Sequence, residues 1–96
     1  MIEIRQSSEY QKWFDGLRDV EARARIDARL RRASLGNLGD VRSVGAGVSE
    51  LRVPCGAGYQ VYFTWQGESV ILLLVGGDKS SQQRDIVRAH ELARRL

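Results

Sequence analysis

The chain has 96 residues, 43% hydrophobic and 28% charged, a length and balance that fit a single domain with one modest core. Its longest apolar run, Val70–Val75, falls far short of the roughly 20 residues that a membrane span requires. A net charge of +3 and a pI near 9.5 favour an acidic partner, either nucleic acid or an acidic protein. The single cysteine, Cys55, excludes an internal disulfide, and no CxxC, HExxH or His/Cys cluster offers a metal site. The opening Ile2-Glu3-Ile4-Arg5 alternates instead of forming a signal peptide, so a reducing cytoplasm is the expected compartment.

Ile2–Arg5 reads as a short strand with Ile2 and Ile4 inward. Ser8, with Gln11 three residues later, predicts a capped helix start. Tyr10, Trp13, Phe14 and Leu17 then fall at i, i+3, i+4 and i+7, an apolar stripe that suits core packing better than a cofactor. Gly16 ends this helix, and Asp19 caps a second from Val20 to about Ser34, with Ala22, Ile26, Leu30 and Ala33 inward. The tight joint predicts an antiparallel helical hairpin. Arginines crowd this region (Arg18, Arg23, Arg25, Arg29, Arg31 and Arg32). Their planar forks suit phosphate, although a solvated helix face explains them equally well. Gly36–Gly47 shows little apolar pattern and reads as a loop.

Three strand-like runs follow, Val48–Val53, Tyr59–Gln66 and Val70–Val75, separated by turns at Cys55-Gly56-Ala57-Gly58 and Gln66-Gly67-Glu68. Alternation sets Leu51 and Val53 with Tyr59, Val61, Phe63 and Trp65 on one face. The opposite face then carries Glu50, Arg52, Gln60, Tyr62 and Thr64, and it is expected to be open, as one face of an antiparallel sheet can be. Val70–Val75 is apolar throughout and predicts a central strand. The Gly76-Gly77-Asp78-Lys79 corner lacks P-loop spacing, and its glycines are expected to serve a turn with positive φ. Ser80 with Gln83 predicts a last helix to about Arg95, with Ile86, Ala89, Ala93 and Leu96 inward. The expected fold is therefore α+β over residues 1–96, in the order β-α-α-β-β-β-α. An antiparallel sheet packs on the helical hairpin, and the C-terminal helix lies at the sheet edge.

This order, with Ile4-Arg5 leading to Glu9 and Trp13, then Val48-Ser49-Glu50-Leu51-Arg52 and Gly58-Tyr59-Gln60-Val61-Tyr62-Phe63, resembles the RelE/ParE toxin superfamily of bacterial toxin–antitoxin systems. Gly76-Gly77-Asp78-Lys79-Ser80-Ser81-Gln82 and Asp85-Ile86 narrow the resemblance to the HigB-like, phage-derived addiction module killer group. The resemblance implies a cytoplasmic toxin neutralised by an antitoxin encoded next door, often a helix-turn-helix protein. RelE-like members cut mRNA on the ribosome without metal or cofactor; ParE-like members inhibit DNA gyrase and cut nothing. By position, Arg52 matches the cleaving members' basic site on the second strand, and Lys79 the site beyond the fourth. Tyr59 matches the aromatic before the third-strand arginine, which is replaced here by Gln60.

Cleavage of RNA by its own 2′-hydroxyl needs a base, cations for the phosphate and a proton for the leaving 5′-oxygen. Arg52 and Lys79 supply charge, Glu50 is the candidate base, and Tyr62 can stack a nucleobase or hold phosphate. Tyr59, Gln60 and Arg84 complete the expected RNA-binding set with Arg52, Tyr62 and Lys79. His90 is about 15 Å along its helix from the corner and is expected at the surface or facing an antitoxin. Cys55 has no basic neighbour in sequence and is not a candidate nucleophile. Three functions stay open: a ribosome-dependent mRNA endonuclease, a gyrase inhibitor, and a degraded toxin that binds only its antitoxin. Arg52, Tyr62 and Lys79 favour the first; Gln60 and the lack of a well-placed histidine keep the second.

Overall fold

A computed structural model describes every residue from Met1 to Leu96. The elements are β1 (Glu3–Gln6), α1 (Ser8–Asp15), α2 (Val20–Ser34), β2 (Val41–Gly45), β3 (Val48–Val53), β4 (Tyr59–Trp65), β5 (Val70–Asp78) and α3 (Gln82–Arg94). All strands join one sheet in the order β1-β5-β4-β3-β2. Neighbours run antiparallel except β1, which lies parallel to β5, so the α+β fold has a mixed sheet.

Ser7, one residue before the expected cap, starts α1. Its Oγ accepts from the Tyr10 amide at 3.0 Å and donates to the Leu74 carbonyl at 2.7 Å, tying the helix start to β5. Asp19 caps α2 as expected, Oδ1 accepting from the Ala22 amide at 3.0 Å. The resulting hairpin covers one sheet face, where Tyr10, Ile26 and Leu30 pack on Leu51, Val61, Phe63, Ile71 and Leu73.

Gly36–Gly47 is not wholly a loop: it contains the edge strand β2, joined to β3 through Gly45, Ala46 and Gly47, all at positive φ. A pairing irregularity between Ser43 and Gly45 ends its regular register with β3. Val41 packs with the hairpin core and Val44, three residues on and so on the other face, with the opposite one. With a single apolar anchor on each face, the strand leaves almost no hydrophobic signature.

The last helix does not sit at the sheet edge. Across the face expected to be open, α3 lays Ala89, Ile86, Leu92 and Ala93 over Val48, Tyr62, Leu74 and Val75, while Leu96 points to solvent. Asp78, not Ser80, caps its approach: Oδ1 accepts from the Ser80 amide at 2.8 Å and heads a 3-10 turn, Lys79–Ser81. Gly76 and Gly77 lie within β5 and are not at positive φ. They are needed for space instead: a Cβ on Gly76 would sit 2.3 Å from the Trp13 ring, and one on Gly77 1.8 Å from Asp85 Oδ2. No helix is long and apolar enough to cross a membrane.

Candidate functional site

Strand register sets the site. Arg52 on β3 is opposite Gln60 on β4, and Gln60 is opposite Gly77 on β5. One step along, Tyr59 pairs with Asp78, which brings the following Lys79 beside the β3–β4 turn, where its amide donates to the Gly58 carbonyl at 3.0 Å. The stem of Lys79 runs over Gly58, whose missing Cβ would lie 3.4 Å from Cγ and Cδ. An open cavity of about 570 Å³ results, lined by Asp40, Arg52, Cys55, Gly58, Gln60 and Lys79 among others. Two cations far apart in sequence thus border one concave surface.

Their states differ. Both Nη2 and Nε of Arg52 donate to Asp40 Oδ1, at 2.9 and 3.3 Å, and this hydrogen bond holds the guanidinium pKa above its ordinary value. Lys79 is exposed and enters no salt bridge. It also borders a second open depression with Ser80, Gln82 and Arg84, so the exposed Arg84 continues the basic surface without entering the first cavity.

The other expected site residues are placed differently. Glu50 is fully buried beneath α3; its carboxylate accepts from Arg42 Nε at 3.1 Å and Gln82 Nε2 at 3.2 Å, with Arg52 Nε more distant at 3.9 Å. It is an anchor between sheet and helix, with no open route to a substrate proton. Tyr62 is fully buried as well, its hydroxyl unpaired, and burial pushes the phenol pKa upward. The open polar face is thus corrected to an internal layer, of which Arg52 reaches solvent and Thr64 bonds the Gly47 carbonyl at 2.8 Å. Tyr59 turns its ring to the helical hairpin and donates from its hydroxyl to Asp19 Oδ2 at 3.2 Å; burial first, then that bond, raises its pKa. Gln60 is 4% exposed, lines the cavity, and leaves Oε1 without a partner. His90 is partly buried, with Nε2 3.0 Å from the Val44 carbonyl, and so packs toward β2 and not out into solvent.

A Haemophilus influenzae protein described as uncharacterized is 42% identical over 95 residues, spanning 99% of this chain and 96% of its own. The chain belongs to that protein's family. No family model matches it. That protein's description names no activity, so the chemistry of the site rests on the side chains themselves.

Two residues absent from the sequence-derived set complete the site. Asp40 supplies the carboxylate that occupies Arg52, and it is exposed at the cavity. Arg29, buried in α2, donates to the carbonyls of Arg52, Leu38 (3.0 Å) and Asp40 (3.4 Å), fixing the backbone that carries both. Asp40 could be sought only from the pairing of β2 with β3, and Arg29 is indistinguishable in sequence from its solvated neighbours. No group of three or more His, Cys, Asp or Glu side chains is positioned to hold a metal.

Proposed function

We propose that this protein is the toxin of a bacterial type II toxin–antitoxin system, a metal-independent endonuclease that cuts ribosome-bound mRNA and blocks translation in the cytoplasm. The observation that carries the reading is the cavity shared by Arg52, Lys79 and Gln60, with the backbone of the Gly56–Gly58 turn on its wall. Arginine offers a paired fork to phosphate oxygens and lysine a mobile point charge, a combination suited to the charge that builds as the phosphodiester is attacked.

In this reading the RNA 2′-oxygen attacks the adjacent phosphorus and the bond to the 5′-oxygen breaks. Asp40, the exposed carboxylate of the cavity, takes the 2′-proton in place of the buried Glu50. Arg52 turns from Asp40 to the phosphate, and Lys79 returns a proton to the leaving 5′-oxygen. The ribosome holds the mRNA, so positioning supplies much of the acceleration and modest acids and bases suffice. The partner is a neighbouring-gene antitoxin, of helix-turn-helix type, which brings an acidic segment to the basic surface.

Burial of Glu50 and Tyr62 favours a second reading, a binder that inhibits gyrase without cutting. Expression without antitoxin separates the two. Pulse labelling should show protein synthesis falling before DNA synthesis, with new mRNA ends inside codons. Early loss of DNA synthesis and supercoiling, with intact mRNA, would overturn the nuclease reading.

A further inference from the structure

We propose that Arg42, on the edge strand β2, holds the RNA phosphate next to the one between Arg52 and Lys79, so that the strand leaves the cavity across β3 and β2; this deepens the RNA-cleaving reading and rests on it. Arg42 lies outside the cavity. Register puts it opposite Glu50, two residues before Arg52 on β3 and so on the same sheet face. Its Nε donates to Glu50 Oε1 at 3.1 Å, and Nε of Arg52 approaches the same oxygen at 3.9 Å, which makes the two guanidiniums neighbours.

The Arg42–Glu50 pair is asymmetric. Glu50 is wholly buried, whereas the Arg42 side chain is 55% exposed. Only the inner nitrogen meets the carboxylate, and both terminal nitrogens of Arg42 are left without a hydrogen bond. Arg52 differs, since Asp40 engages both its Nε and Nη2. Gln82 shares the Glu50 charge, donating to Oε2 at 3.2 Å. Neutralising Glu50 therefore uses one nitrogen of Arg42 and leaves its fork unexplained. A fork anchored from behind by a buried carboxylate and open in front is already ordered, which lowers the cost of closing it on phosphate oxygens. Arg42, Arg52 and Lys79 outnumber Glu50 and Asp40 by one charge, so the surface attracts an anion. Neighbouring guanidiniums with separate carboxylate partners suit a polymer of regularly spaced phosphates better than one free anion.

The test is the salt dependence of binding between the full chain and a short single-stranded DNA oligonucleotide, which lacks the 2′-hydroxyl that cutting needs. Fluorescence anisotropy gives the affinity at each salt concentration. Each phosphate contact on a single strand contributes about 0.7 to the slope of log affinity against log salt. Arg42→Gln should weaken binding roughly two- to tenfold at low salt and flatten the slope by about 0.7. Lys79→Ala should flatten it by a similar amount, and the double variant by about twice as much, because two phosphates are held. If Arg42→Gln melts early, Arg42→Gln combined with Glu50→Gln removes the stranded buried charge and should show the same loss of slope. Parental affinity and slope in the Arg42 variants, with a loss in Lys79→Ala, overturn this second phosphate position and leave the cavity reading standing. A double variant no flatter in slope than Lys79→Ala alone would place both cations on one phosphate and also overturn it. Absence of any oligonucleotide binding by the parent chain at low salt overturns both.

Discussion

The guanidinium of Arg29 on α2 donates to the backbone carbonyl of Arg52 on β3. The same fork holds the carbonyls of Leu38 and Asp40, so one buried side chain fixes the end of a strand and the segment entering β2. Gly39 passes so close that a Cβ there would lie 2.9 Å from Nη2. Burial lowers the Arg29 pKa, yet an arginine keeps its charge, and three carbonyls repay much of the desolvation. Arg29→Met should therefore destabilise the fold by on the order of 2–4 kcal/mol, because it strands those acceptors. Arg31→Met, on the exposed side of α2, should stay within about 0.5 kcal/mol of the parent. Urea melts of the two variants check this, and equal midpoints would show that Arg29 holds nothing.

Arg52 and Lys79 act at the surface of the cavity, and their loss should be felt in chemistry. Arg52→Ala and Lys79→Ala should each lower cleavage of ribosome-bound mRNA by roughly ten- to a thousandfold, as removal of transition-state charge does elsewhere. Melting should change little, because exposed charges seldom contribute more than about 0.5 kcal/mol. If both variants melt like the parent and cut as fast, the phosphate lies elsewhere.

Asp40 is expected to separate binding from cutting. It occupies the Arg52 fork in the free protein, so Asp40→Asn should free that fork and tighten RNA binding by roughly two- to fivefold, the range of an exposed ion pair. As the proposed base, its removal should also slow cleavage by roughly a hundred- to ten-thousandfold. Measuring oligonucleotide affinity and ribosomal cleavage on one preparation distinguishes the effects. A variant that cuts at the parental rate would remove Asp40 from the chemistry.

Much of the fold was legible because its signals are local. The stripe from Tyr10 to Leu17 and the Asp19 cap give the hairpin, and the alternation through Val48–Val53 and Tyr59–Trp65 gives the paired strands. What alternation could not say was which polar face would be covered. Glu50, Gln60, Tyr62 and Thr64 look solvated on a strand, but all four are buried: α3 lies over Tyr62, and Arg42 and Gln82, distant in sequence, pair the Glu50 carboxylate. Asp40 and β2 were hidden for a related reason: an edge strand with few apolar residues takes its identity from its neighbour. The doubled glycine was noticed for the wrong property. Its role is close approach by Trp13 and Asp85, a contact between elements that no local conformational preference encodes.

The seam between α1 and α3 gives the last prediction, a pH dependence. Arg88 Nη2 and Nε donate to the two oxygens of Glu9 at 2.6 and 2.7 Å, a paired contact between the first and last helices. The hydrogen bond from Arg88 is the largest cause holding the Glu9 pKa below its ordinary value. Asp78 is also held low, chiefly by the Ser80 hydroxyl that it accepts at the start of the 3-10 turn. A depressed carboxyl pKa means that the unfolded chain binds more protons than the folded one through this range. The contribution is therefore complete above the ordinary carboxyl value of about 4 and disappears as pH falls through the lower folded value. Stability should accordingly decline as pH drops below about 5. Glu9→Gln should be less stable than the parent near neutrality, and the gap should close in acid as the parent's own carboxylate is protonated. Added salt should narrow the neutral-pH gap, since both side chains are partly exposed. Urea midpoints across this pH range, for parent and Glu9→Gln together, measure the difference directly. A gap of constant size from neutral to acid pH would mean that the pair contributes through packing and not through its charge.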